Sequence, residues 1–575
     1  MSKQAGTALL MILIAMFAIG LMSMVIAQVA TTELAITANI AAGTKSFLPA
    51  DGASQVLLRD LISMSRSLGR FPTDAELATI RRPRFNTVSL ADFRAFTNGV
   101  ETGRPISTGL YVGLSALVQP FTIIVTADSP GPPPSRATVE IDGEFSRIPI
   151  FQFGVLYEYD LDVHPGPAMV IGGRVHSNGD VYLDPGISLS LNSPITTNGD
   201  IYNFHRNGSF TGGVVQIQDS TGAYQAMAGL DSDDPNWSAE AIDRWDGRVR
   251  SGEIGGHRVD LVIENPTDPH LVIDAGRPAD TASDKAAKIW YDAGLRIVNG
   301  QGFDSEGNAV SLIDPLSGTS ALRNTIIYDW REEKYMLTVE VDMQKLGRTA
   351  AFPANGVVYV GAFEPIDGMP GWLGGAWGVG PPEWSGFGVP WDGSEMSEFA
   401  IKLTNGATLA APTTIVSENP MYLQGSYNVA NKKGAALVAD AVTILSNDWG
   451  DMNGDGVFDN DLNYSLLDMG VRMASSTTVN AAIMTGNVDM GPAYNGGLEN
   501  LPRFLERWSR VPFNFNGSLV ALWRSEIANG AFGKTNVYSA PIRNWYFDTD
   551  FLDLNDLPPA TPRIYQITVT SWEHH

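Results

Sequence analysis

Between Asp451 and Asp459 the chain reads DMNGDGVFD. Oxygen-bearing side chains at alternate positions converge on one cation when a glycine allows a sharp turn. Asp451, Asn453 and Asp455 would supply side-chain oxygens. Gly456 would make the turn, Val457 would offer its carbonyl, and Asp459 would close the shell. Calcium takes such hard ligands at about 2.3–2.6 Å. The twelfth position is Leu462 rather than a bidentate Glu, and Asp461 is the carboxylate that could stand in. An acidic Gly/Asn turn without an ion has the same composition. The chain contains no cysteine, so disulfides, Cys-zinc sites and thiol catalysis are excluded. A calcium ion would therefore pin a long loop; its expected role is structural.

Other chemistry is sparse. The seven histidines are His164, His176, His205, His257, His270, His574 and His575, and none sits in an H-E-x-x-H pattern. No Walker loop, G-x-S-x-G or Gly-rich dinucleotide turn is present. Trp372, Trp377, Trp384 and Trp391 crowd the Gly/Pro-rich stretch 371–393, which cannot be a regular helix or strand. Such a loop either offers flat aromatic faces to a glycan or packs back onto the body. No catalytic residue can be assigned, and the expectation is a protein that is not an enzyme.

The 38 basic and 63 acidic residues give a net charge of −25. That excludes a generally basic nucleic-acid binder, since phosphate neutralisation needs clustered Lys and Arg. The 59 Gly and 34 Pro favour short strands over long helices. Ala8 to Ala27 is an apolar run, ALLMILIAMFAIGLMSMVIA, with no charge between Lys3 and Glu33. Twenty residues of helix span about 30 Å, a bilayer core. Three readings follow: a signal peptide cut after Ala27, an uncleaved anchor, or a prepilin leader cut between Gly6 and Thr7. The third is favoured because Gln28 to Lys45 lacks Pro and places Val29, Leu34, Ile36 and Ile40 on an approximate stripe. A break is expected at Phe47-Leu48-Pro49, with a second helix over 56–64 and a Thr73/Glu76 capping box beyond it.

QAGTALLMILIAMFAIGL, followed by ANIAAGTKSFLPADGASQVLLRDL at 38–61, resembles the PilX-type minor pilins of type IV pili. The phrases at 151–186, 479–488 and 499–508 look like the large extracellular part of long members. The resemblance implies residues 1–6 as leader, 7–46 as the hydrophobic pilin helix and other pilin subunits as partners through that helix. It places the precursor in the inner membrane, with a periplasmic or extracellular body, and the assembled subunit in a pilus or at the cell surface. A glycan or cell surface is a further partner, and nucleic acid is not. Most pilins resemble each other in a Glu at the fifth mature position; here it is Met11. Without it a subunit cannot neutralise a neighbour's N-terminal amine in an apolar core, which suits a tip subunit. The 451–459 segment resembles calcium loops of β-propeller and dockerin-type proteins.

The body, 137–575, follows a mixed connecting region, 47–136, that ends in SPGPPP (129–134). VHSNGDVY (175–182) matches ITTNGDIY (195–202) at a spacing of 20 residues, with weaker echoes at 423–428, 484–489 and 515–523. A period near 20 with Gly turns suits a stacked rung. Gly would take a positive-φ corner. The fold class is therefore mainly β with a long N-terminal helix, the body β-solenoid-like or alternatively a β-sandwich. The function expected is a minor pilin or pseudopilin that primes assembly, decorates the tip or mediates adhesion. The alternatives are an anchored or secreted polysaccharide-acting enzyme and a non-pilus adhesin. The loop spacing makes one prediction: chelating calcium lowers the melting temperature by roughly 5 °C, and Asp455→Ala removes that difference in a thermal melt.

Overall fold

The computed structural model describes residues 2–68, 70–107, 109–259, 268–363, 397–452, 460–488, 497–531 and 534–575. Two units divide the chain. One comprises Met1–Thr102, Leu117–Arg147 and Tyr565–His575, and the other Gly103–Ala116 and Ile148–Ile564.

In the first unit a single helix runs over Ser2–Leu68. The break expected at Pro49 does not occur: Pro49 lies inside the helix. Proline there removes a hydrogen bond and costs about 3 kcal/mol. Burial on the C-terminal side offsets it, since Ala50, Ala53, Leu57 and Leu61 are all fully buried or nearly so. Each buried leucine contributes about 1.5–3 kcal/mol. These residues form a stripe at helical spacing against Phe93, Phe121, Ile123, Val125, Val139 and Ile141. Those residues lie on a sheet ordered Ser89–Thr97, Ser115–Ser129, Ser135–Pro149 and Arg563–His574. The first three strands pair antiparallel, and SPGPPP supplies the turn between the second and third. The chain thus passes finally into the second unit after Arg147, beyond the boundary expected at 137. The Thr73/Glu76 capping box forms as read.

The second unit is built from stacked parallel strands. Val155, Val175 and Ile195 lie in one column, and Leu161, Val181 and Ile201 in another. Both columns advance by the 20-residue spacing of the repeat. Met169–Ile171, Ser188–Leu191 and Val214–Gln218 form a third parallel stack. Later strands continue the first column from its other side. Val357–Gly361, Thr413–Val416, Ala435–Ala439, Ala482–Asn487 and Leu519–Arg524 pair in parallel succession. Leu519 then faces Val155, joining late and early rungs in one twelve-stranded sheet. A six-stranded sheet, mostly parallel, lines a second wall from Leu322–Asp329 to Pro502–Phe504. The body is mostly β, with parallel strands stacked in rungs of unequal length. Its core is an apolar column of Val, Ile and Leu side chains with Trp237, Trp245 and Trp508.

The NGD corner does not use glycine for the positive φ that its sequence suggests. Gly179 and Gly199 are not among the positive-φ glycines. They are required by proximity: a Cβ on Gly179 would fall on Asp160 Oδ1, and one on Gly199 on Asp180 Oδ1. Each of those carboxylates accepts the backbone N–H of the aspartate one rung on, Asp160 from Asp180 and Asp180 from Asp200, both at 2.9 Å. Gly199→Ala should therefore destabilise the body by about 1–3 kcal/mol through overpacking, read as a lower urea midpoint. Ala substitution of exposed Asn198 should have a smaller effect.

Candidate functional sites: the exposed apolar helix and two buried polar clusters

The N-terminal half of the long helix has no covering partner among the described residues. Leu9 through Ile40 expose every large apolar side chain, Met11 at 70%. This segment is long and apolar enough to cross a membrane. Its polar side chains are largely self-satisfied: Thr31 and Thr32 donate to Gln28 O, Thr37 to Glu33 O and Thr44 to Ile40 O, at 2.8–2.9 Å. Hydroxyls bonded back to their own helix carry little cost into an apolar setting. Gly6 and Thr7, the expected processing pair, lie within the helical span.

The calcium-type residues are only partly placed. Asn453, Asp455, Val457 and Asp459 lie outside the described residues, as does the Trp/Gly loop 371–393. Asp451 is half-buried beside them. Asp461 is taken up elsewhere. Its two oxygens accept from Lys402 Nζ at 2.8 and 2.9 Å, from Trp449 Nε1 at 2.7 Å and from Thr325 Oγ1 at 2.7 Å. The Lys402 and Asp461 side chains are both fully buried. A carboxylate so engaged by an ammonium is a poor cation ligand. Asp461 instead anchors the short helix Asp461–Ser465 to the sheet through Lys402.

A second polar cluster sits where the first two rungs turn from their second strand to their third. Asp162 and His164 come from the end of Leu161–Val163, Asp184 from one rung on, and His205 from the same turn of the third rung. His205 Nε2 lies 3.2 Å from Asp162 Oδ2, and His164 Nδ1 lies 3.7 Å from Asp184 Oδ2. The two imidazoles meet edge to face at 4.8 Å. Asn207 N–H donates to His205 Nδ1, so the Nε2 of a neutral His205 carries the proton and donates to Asp162. Asp162 Oδ1 is buried without a partner. Burial, reinforced by the charge of Glu499, pushes the Asp162 carboxyl up to about 7. Such a group holds or releases a proton near neutrality, as acid–base chemistry requires. Among the described residues no three His, Asp or Glu side chains are arranged to hold a metal ion.

Sequence reading did not link these residues. His164 and His205 carry no motif, and their approach follows from rung stacking. One signal was available: Asp160, Asp180 and Asp200 recur at the same 20-residue period, but Glu158-Tyr159 replaces Asn-Gly in the first copy and conceals it. His176, in the first strand column of the repeat opposite Thr196, serves the packing instead. It is fully buried, bonded to Thr196 Oγ1 at 2.7 Å and Asn178 Oδ1 at 3.1 Å, and burial draws it down to about 4.

A raised carboxyl pKa means that the folded state binds the proton more tightly than the unfolded state does. The contribution of Asp162 is therefore full below its ordinary value of 3.8 and is lost as pH rises through about 7. Asp162→Asn should flatten that part of the profile. Melting temperatures of the parent and variant measured between pH 4 and 8 should diverge in the variant's favour as pH rises.

No family model and no curated protein matches the chain. Among solved structures it is similar to the competence-associated pilin ComZ from Thermus thermophilus. The identity is 12% and the TM-score 0.27, over 93% of this chain and 98% of that one. A TM-score this low leaves the functional reading to the chain's own residues.

Proposed function

We propose that the chain is a type IV pilin-like subunit of the PilX type, acting without catalysis in pilus priming, tip decoration or adhesion. The observation that carries this reading is the division of labour along one helix. Residues from about 42 onward bury a stripe on an antiparallel sheet, while Leu9 to Ala27 present an apolar surface on all sides and the more polar turns up to Ile40 leave their large apolar side chains exposed. At 1.5 Å per residue the exposed part is about 50 Å long, and its uninterrupted apolar run, Ala8 to Ala27, covers the roughly 30 Å a bilayer core requires. Bare apolar surface of that extent needs lipid or other helices to cover it. The inner membrane covers it before assembly, and the helices of neighbouring pilins cover it afterwards. Met11 at the fifth mature position deprives a neighbour's amine of its counter-charge, which suits a subunit at a tip.

The 451–459 loop would bind calcium structurally through Asp451, Asn453, Asp455, Val457 and Asp459, with Asp461 left to Lys402. The body would lie outside the inner membrane, where glycans and cell surfaces are within reach. Its net charge of −25 disfavours nucleic acid. A polysaccharide-acting enzyme has one observation in its favour, the Asp162–His205 pair. Both side chains are mostly buried, Asp162 almost wholly so, which leaves little of the pair for a substrate to reach.

The test is mass spectrometry of the N-terminal peptide from membrane-extracted protein. A start at Thr7 is expected. A start at Gln28 would remove the apolar helix and sink the reading, and an intact Met1 would leave a simple anchored protein.

A further inference from the structure

A cavity of about 540 Å³ opens within the second unit, inside the roughly 300–1,000 Å³ range of small-ligand sites. It forms where the strand Met169–Ile171 turns into Arg174–Ser177. Gly173 makes that turn at a φ of +76°, and a Cβ there would strike Phe547. The walls combine two kinds of side chain. Tyr546, Tyr224 and Trp545 are aromatic, and Tyr546 is 63% exposed although it sits on a regular strand. Asn192, Gln218 and Arg174 are polar.

The charge in this cleft runs against the rest of the molecule. Among the described residues no Asp or Glu lines it. Arg174 is mostly desolvated. Its Nη1 and Nη2 donate to the carbonyls of Leu110 and Val112 at 3.0 and 3.1 Å. Its Nε is buried without an acceptor, as is Trp545 Nε1. A second guanidinium, Arg248, braces the wall by donating to Gln218 O at 2.9 Å and Asn192 O at 3.1 Å. Burial, with Arg248 nearby, draws the Arg174 guanidinium down to about 10. A desolvated cation that only neutral carbonyls satisfy gains from an added carboxylate, and an orphaned donor gains from an added oxygen. An exposed aromatic face beside amide groups suits a ring with one apolar face and a hydroxylated edge.

We propose that this cleft binds an acidic saccharide. The sugar carboxylate pairs with Arg174, an apolar ring face stacks on Tyr546, and hydroxyls meet Asn192 and Gln218. The site uses no residue of the long helix and stands whether or not Thr7 is the mature N-terminus. The test is isothermal titration of the full chain in detergent with tetramannuronate, against cellotetraose as the neutral control and a thymidine tetranucleotide as the other anion. The expected result is binding of tetramannuronate that weakens at least tenfold in Tyr546→Ala and in Arg174→Gln, with the melting temperature of Tyr546→Ala unchanged. Should Arg174→Gln fail to fold, Tyr546→Ala decides alone. The proposal is overturned by no detectable heat at millimolar saccharide, by equal affinity for cellotetraose, by unchanged binding in Tyr546→Ala, or by tighter binding of the tetranucleotide.

Discussion

The first three rungs of the body depend on one coupling between successive rungs. A carboxylate at the corner of one rung accepts the backbone amide of the next, from Asp180 N–H to Asp160 and from Asp200 N–H to Asp180. Parallel strands pair with evenly spaced, slanted bonds and cannot be closed by tight hairpins. Register must therefore be held at the corners. The Asp ladder does so at one corner, and the glycine before Asp180 and Asp200 keeps the space clear. Ser177 and Thr197 brace the same corner by donating to Tyr159 O and Gly179 O. Once the register is fixed, Val155, Val175 and Ile195 fall into one column without further specification.

Burial of charge follows the same logic. Water solvates acidic side chains on the exterior, but the interior holds ions that must be paired. Lys402 lies between Asp461 and Glu340, at 2.8 and 3.1 Å. Arg503 meets Glu332 at 2.8 Å. His270 sits between Asp274 and Asp440; burial alone would lower it, but the two carboxylates raise it to about 10. Removing one partner of a buried pair leaves an uncompensated charge and costs about 3–5 kcal/mol. In a chain without disulfides these pairs tie loops to the stacked strands. Glu506, fully buried and bonded to Ser446 N and Oγ, is pushed up to about 7 by burial. Like Asp162, it favours the fold more at mildly acidic than at alkaline pH.

The helix shows how tertiary packing overrides a local signal. Proline at position 49 ordinarily ends or kinks a helix. Here the small residues Ala42, Ser46, Ala50, Ala53 and Ser54 let the helix approach the sheet closely, and Ser135 Oγ donates to Ala42 O at 2.6 Å. The contacts on both sides of Pro49 hold the two segments in line.

Local chemistry was legible in the sequence. The apolar helix, the capping box at Thr73 and the 20-residue rung followed from residue type and spacing, because helix exposure, capping and stacking period are all set by near neighbours. The corner role of Gly179 and Gly199 was only half legible: the need for glycine was clear, but its cause was a carboxylate from another rung. The fate of Asp461 was not legible, since Lys402 lies far from it in the chain and only the fold brings an ammonium to its oxygens. The same holds for the Asp162–His205 pair and for the arginine-lined cleft. Each needs strands from several rungs, and the order in which late rungs stack on early ones depends on burial of the whole apolar column. Sequence alone determined what each segment could form, and the tertiary structure decided which side chains met, because contact between distant residues depends on how all the rungs pack together.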